Sequence, residues 1–83
     1  MRKKVKRFAM IMERKLRENS FKGGWAKEDW RWLLGRLNEE MLEFQEALFT
    51  GKKVSSEAAD IANFLMMICD VRGELKTYLG GGK

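Results

Sequence analysis

The sequence predicts an all-α protein: antiparallel helical hairpins that assemble by oligomerisation into a four-helix-bundle-like unit. Three observations carry this. Apolar residues recur at helical spacing in three segments, and no segment alternates as a strand does. Glycines stand where the stripes stop, at Gly23-Gly24 and Gly51. At 83 residues, burial barely offsets chain entropy, so a chain this short needs a further source of stability. With one cysteine and no histidine, disulfides and thiol-rich metal sites are excluded, which leaves self-association.

One domain is expected over 1–83, with helices at about 2–19, 27–50 and 55–79. In the first, Val5, Phe8, Ala9, Met12 and Leu16 form a single stripe, Glu13 and Arg17 pair one turn apart, and Asn19-Ser20 ends it. Phe21 to Trp25 is a glycine-broken loop. Its aromatics either plug the core or face a ligand. The second helix starts near Lys27, with Glu28 and Asp29 at the positive end of its dipole. Trp30, Leu33, Leu34, Leu37, Met41, Phe44 and Leu48 make its stripe, and Gly51 stops it. Gly51-Lys52-Lys53 is then a tight basic turn. Ser55 caps the third helix, and Glu57 lies in its first turn. From Ala58 to Val71 only Asp60, Asn63 and Asp70 are polar, so the third helix needs cover on all sides. Gly80 to Gly82 form a frayed tail.

Composition narrows the chemistry. Without histidine there is no Ser-His-Asp or Cys-His nucleophile pair, no HExxH zinc site and no Glu-x-x-His di-iron bundle. Catalysis, if present, falls to carboxylates. The lone Cys69, expected to be buried, suits a reducing interior, so a cytoplasmic location is expected. The longest apolar run, Phe64 to Cys69, is too short to span a bilayer, and Phe8 to Met12 is too short for a signal peptide. The net charge of +5 raises the prospect of nucleic-acid binding, favoured by Arg2, Lys3, Lys4, Lys6 and Arg7. Beyond that cluster, bases alternate with acids as on a solvated face, which makes a nucleic-acid partner the weaker reading.

The informative residues are acids. Side chains three apart share a helix face, so Glu40 and Glu43 converge on one point, as do Glu57 and Asp60. Glu40 borders the stripe of Leu37, Met41 and Phe44, and Asp60 is embedded in an apolar helix, where a carboxylate needs a partner. The short turn makes the two helices antiparallel neighbours but leaves open whether the pairs meet within one chain or across two. Four carboxylates together call for a hard cation, Mg²⁺ or Mn²⁺. The alternative is a set of salt bridges to Arg36, Lys52 and Lys53.

The string Leu37-Asn38-Glu39-Glu40-Met41-Leu42-Glu43, followed after thirteen residues by Glu57-Ala58-Ala59-Asp60, resembles the EExxE…ExxD signature of MazG-like nucleotide pyrophosphohydrolases. Gly24-Trp25 and Trp32-Leu33-Leu34 before it, and Ala62 to Met67 after it, extend the resemblance over Phe21 to Val71. It implies an all-α MazG fold, a homodimer or homotetramer, and Mg²⁺-dependent hydrolysis of a nucleoside triphosphate to the monophosphate and pyrophosphate. On that pattern Glu40, Glu43, Glu57 and Asp60 hold the metal, while Glu39 and Glu40 are the catalytic acids. Asn63, Arg36, Lys52, Lys53 and Trp25 are candidates for contacts to the substrate, with Lys27 and Trp30 behind them. For Asn63 and Trp25 a purely structural role competes with that assignment. The rival functions are a non-catalytic helical interaction module and a basic nucleic-acid-binding protein.

Overall fold

A computed structural model describes residues 1–19 and 24–78. The described residues are all-helical or in turns, with no strand among them: α1 (Lys3–Glu18), α2 (Trp30–Thr50), α3 (Val54–Val71) and α4 (Glu74–Tyr78). Ser20 to Gly23 and the glycine tail lie outside the described residues. No described helix is long and apolar enough to cross a membrane.

Helix α1 buries its stripe only in part: Phe8, Ile11, Met12 and Leu16 are half-buried, and Lys15 is half-buried among them. Glu13 and Arg17 pair at 3.7 Å as expected. Asn19 is the C-cap, its N–H bonded to the Lys15 carbonyl.

Helix α2 begins at Trp30 rather than Lys27. Asp29 sits outside the helix in extended geometry, and its carboxylate accepts from the Arg31 N–H at 2.8 Å. An aspartate serves better as a cap on an unpaired donor than as a first-turn charge, because the bond is direct. The helix ends at Gly51 in left-handed geometry (φ 72°), its N–H closing on the Ala47 carbonyl. Lys53 repeats that geometry (φ 59°) and, not Ser55, occupies the N-cap of α3. Its side chain offers no acceptor, so capping falls to backbone bonds such as Glu57 N–H to Lys53 O at 2.9 Å. Glu57 does lie in the first turn. The third predicted helix does not run unbroken to 79: Gly73, at φ 79°, stops it and α4 restarts at Glu74.

Helix α3 is the hub. It packs against α1, α2 and α4, whereas the backbones of α1 and α2 stay apart. With a three-residue turn between them, α2 and α3 run antiparallel. Leu33, Phe64 and Met67 make the innermost cluster, joined by Leu16, Trp25 and Leu37. The residues of α2 that turn inward are Leu33, Leu37, Glu40, Phe44 and Ala47. The predicted stripe is therefore split along its length. Leu34, Met41 and Leu48, seven residues apart, remain exposed, with Leu42 and the 93% exposed Phe49 beside them. Leu65 on α3 is also exposed, as is Cys69, contrary to the burial expected of it.

Candidate metal centre

Because α1 and α2 diverge over α3, a cleft of about 320 Å³ opens between them, with α3 as its floor. Its lining comes from three helices: Lys15 and Asn19 from α1, Arg36, Glu40 and Glu43 from α2, and Asp60 and Asn63 from α3. Three of the four predicted acids meet within one chain, Glu40 from one pair with Glu57 and Asp60 from the other. Glu40, Glu57 and Asp60 each offer a carboxylate oxygen within 4.8 Å of the others. Glu43 stands at their edge and lines both this cleft and a shallower one of about 330 Å³, where Lys52, Lys53, Glu46 and Thr50 gather around Glu57.

The surroundings disfavour charge on these acids. Burial, then the charges of Glu43 and Asp60, push the Glu40 carboxyl up to about 7, against the pull of Arg36. Burial raises Glu57 as well, followed by the Glu43 and Asp60 charges. Its place at the positive end of α3 does not compensate, since a surface dipole is worth less than desolvation plus two like charges. Asp60 is raised by burial, and Lys15 opposes that shift.

Two cations reach the cluster among the described residues. Arg36 lies 3.6 Å from the Glu40 carboxylate, pairs also with Glu39, and stacks over the Phe64 ring at 5.5 Å. Lys15 Nζ lies 3.6 Å from Asp60 Oδ2, and the Asn19 amide donates to Asp60 Oδ1 at 3.3 Å. Yet two buried acceptors have no donor, Glu57 Oε2 and Asn63 Oδ1. Asn63 is only 3% exposed, and its amide nitrogen donates to the Met12 carbonyl at 3.0 Å, which leaves the oxygen without a partner. Hard oxygen donors, excess negative charge and an orphaned amide oxygen on the same cleft are a donor set that fits a hard divalent cation.

The other sequence candidates fall elsewhere. Glu39 is exposed and engaged with Arg36, outside the three-acid cluster. Trp25 packs on the core, and its indole N–H donates to Asp70 Oδ2 at 2.9 Å, away from the cleft. Trp30 lies between the guanidinium groups of Arg31 and Arg72, 4.8 and 5.7 Å from its centroid. Lys27 is exposed and lines neither cleft. Lys15 and Asn19 are the residues sequence reasoning missed. The signal was Lys15 itself, a cation one turn beyond Met12 and so inside the apolar stripe of α1. A larger groove of about 730 Å³ runs along α1, lined among the described residues by that helix, including its Arg14–Glu18 and Glu13–Arg17 pairs. Comparison of the chain with protein-family models, curated proteins and solved structures gives no match.

Proposed function

We propose that the protein is a Mg²⁺-dependent, MazG-like nucleoside triphosphate pyrophosphohydrolase, with Mn²⁺ as an alternative ion. The observation that carries this reading is the convergence of carboxylate oxygens of Glu40, Glu57 and Asp60, with Glu40 and Asp60 lining the same cleft as Asn63, whose buried amide oxygen has no donor. The EExxE…ExxD spacing supplies the reaction class. Glu40, Glu43, Glu57 and Asp60 would hold the cation, which when bound neutralises phosphate oxygens and acidifies water. Arg36, Lys52 and Lys53 rim the two clefts that Glu43 joins, where their charge draws a triphosphate toward the acids. Asn63 and Glu40 line the same cleft, and Glu39 acts by holding Arg36 in place. The wild-type chain is expected to release pyrophosphate, not orthophosphate, from nucleoside triphosphates in Mg²⁺ and to fall silent in chelator. A panel with all common bases that yields no pyrophosphate sinks the reading.

The working unit in this proposal is a homo-oligomer. Leu34, Met41 and Leu48 repeat every seven residues on the solvent side of α2, the spacing of a helix–helix seam. Phe49 and Leu65 are further large apolar side chains left exposed, which association with a second copy would take out of water. Light scattering is expected to give at least a dimer for wild type and a monomer for Leu48→Glu. A wild-type monomer at tens of micromolar contradicts this, on the scale of ordinary specific interfaces.

A further inference from the structure

We infer that Lys15 is the resident counter-ion of the acid cluster, a positioning residue that a divalent cation must displace to bind. The inference rests on the metal-binding reading above. Lysine is seldom so covered without a partner. Here the side chain is 19% exposed and the ammonium points at Asp60, 3.6 Å away, from a helix that supplies no acid to the cluster. A second carboxylate, Glu18, lies 3.9 Å from the same nitrogen and is half-exposed, outside the acid cluster. Lys15 thus bridges, from one position, an acid of the cluster and an acid outside it.

Arg36 is not equivalent. It is anchored by Glu39 and by the face of Phe64, so it stays in place whether or not a cation is present. Asn19 offers Asp60 a neutral hydrogen bond that does not compete in charge. A divalent ion beside Asp60 meets repulsion from an ammonium held at that carboxylate, and the repulsion is relieved when Lys15 gives up Asp60 and keeps only Glu18. In the metal-free chain Lys15 instead offsets the mutual repulsion of Glu40, Glu57 and Asp60. The same residue therefore stabilises the empty fold and lowers its affinity for the ion.

The test is a calorimetric Mn²⁺ titration of the full chain without nucleotide, on wild type, Lys15→Met and Lys15→Arg. Lys15→Met is expected to bind Mn²⁺ on the order of tenfold tighter, as like charges at this distance interact appreciably even in partly solvated sites. Lys15→Arg is expected to bind as wild type does. Metal-free Lys15→Met should also melt below wild type and gain more from saturating Mn²⁺. If wild type and Lys15→Met bind Mn²⁺ equally, this inference fails and the metal site stands. If neither binds, both fail. Should Lys15→Met not fold without metal, folding rescued by Mn²⁺ supports the inference, and a chain that stays unfolded in Mn²⁺ overturns it. Glu18→Gln, at a half-exposed position, removes the partner that keeps Lys15 once it leaves Asp60 and is expected to weaken Mn²⁺ binding; unchanged or tighter binding there also overturns it.

Discussion

Glu40→Gln is expected to abolish pyrophosphate release while raising the melting temperature of the metal-free protein. The two effects share a cause. Glu40 is buried against three other acids, and its carboxyl is pushed up to about 7. At pH 8 the folded chain therefore bears an ionised group that the unfolded chain carries without penalty. From 4.5 to about 7, at about 1.4 kcal/mol per pKa unit, the cost is on the order of 3 kcal/mol. A neutral amide of nearly the same shape removes most of it. The lost ion pair returns little of that cost, because Arg36 keeps Glu39 as partner. A net gain of about 1 kcal/mol moves the midpoint of a chain this size by several degrees. Activity moves the other way. Removing one charged ligand from a cation site, or one preorganised charge from an active site, costs on the order of a hundredfold or more. Stability gained where function is lost is the trade-off expected of residues kept for chemistry. A variant that keeps its turnover removes Glu40 from the site. One that melts lower shows its ionised form to be compensated in the fold.

The acids of the cluster were legible in the sequence because the steps to them are local, whereas their meeting within one chain was left open. Three-residue spacing on a helix, a glycine stop and a three-residue turn bring Glu40 toward Glu57 and Asp60 with no long-range information. What was not legible needed the third helix. Lys15 and Asn19 reach Asp60 across more than forty residues, and nothing in α1 announces that its last turns cross α3 at that level. The periodicity of α2 gave a broad stripe but not its rotation. The structure turns Leu33, Glu40 and Ala47 inward and leaves Leu34, Met41 and Leu48 outside; Glu40 looks into the seam, as its place beside the stripe predicts. Backbone exceptions were hidden for a different reason. Lys53 adopts a left-handed conformation that lysine rarely takes, and the glycine at 73 breaks a pattern that apolar periodicity alone carries through. Trp25 illustrates the ambiguity of an aromatic beside glycines: its ring fills the core, and its one donor is spent on Asp70.

In metal-free buffer the melting temperature is expected to fall as pH rises from about 4.5 to about 7, the reverse of ordinary acid denaturation. The sign follows from the direction of the resolved shifts, all three of which, at Glu40, Glu57 and Asp60, are upward. In that window the folded chain holds protons that the unfolded chain has released, so each step up in pH favours unfolding. The stabilising contribution is complete below the ordinary carboxylate range and is lost as pH passes through the raised value of Glu40. Glu40→Gln should flatten most of the slope, since Glu40 carries the shift to about 7. Saturating Mg²⁺ or Mn²⁺ should reverse it. A cation binds only the deprotonated acids, so the stabilisation it brings grows over the same interval and each binding event releases protons. Calorimetry in two buffers of different ionisation enthalpy counts those protons directly. The release is expected to be largest near pH 6 and to vanish above about pH 8, where the carboxylates are already ionised. A metal-free melting curve that is flat or rising between pH 5 and 7 means that Arg36 and Lys15 neutralise the acids fully. The cluster would then be a closed salt-bridge network with no charge left for a cation to satisfy.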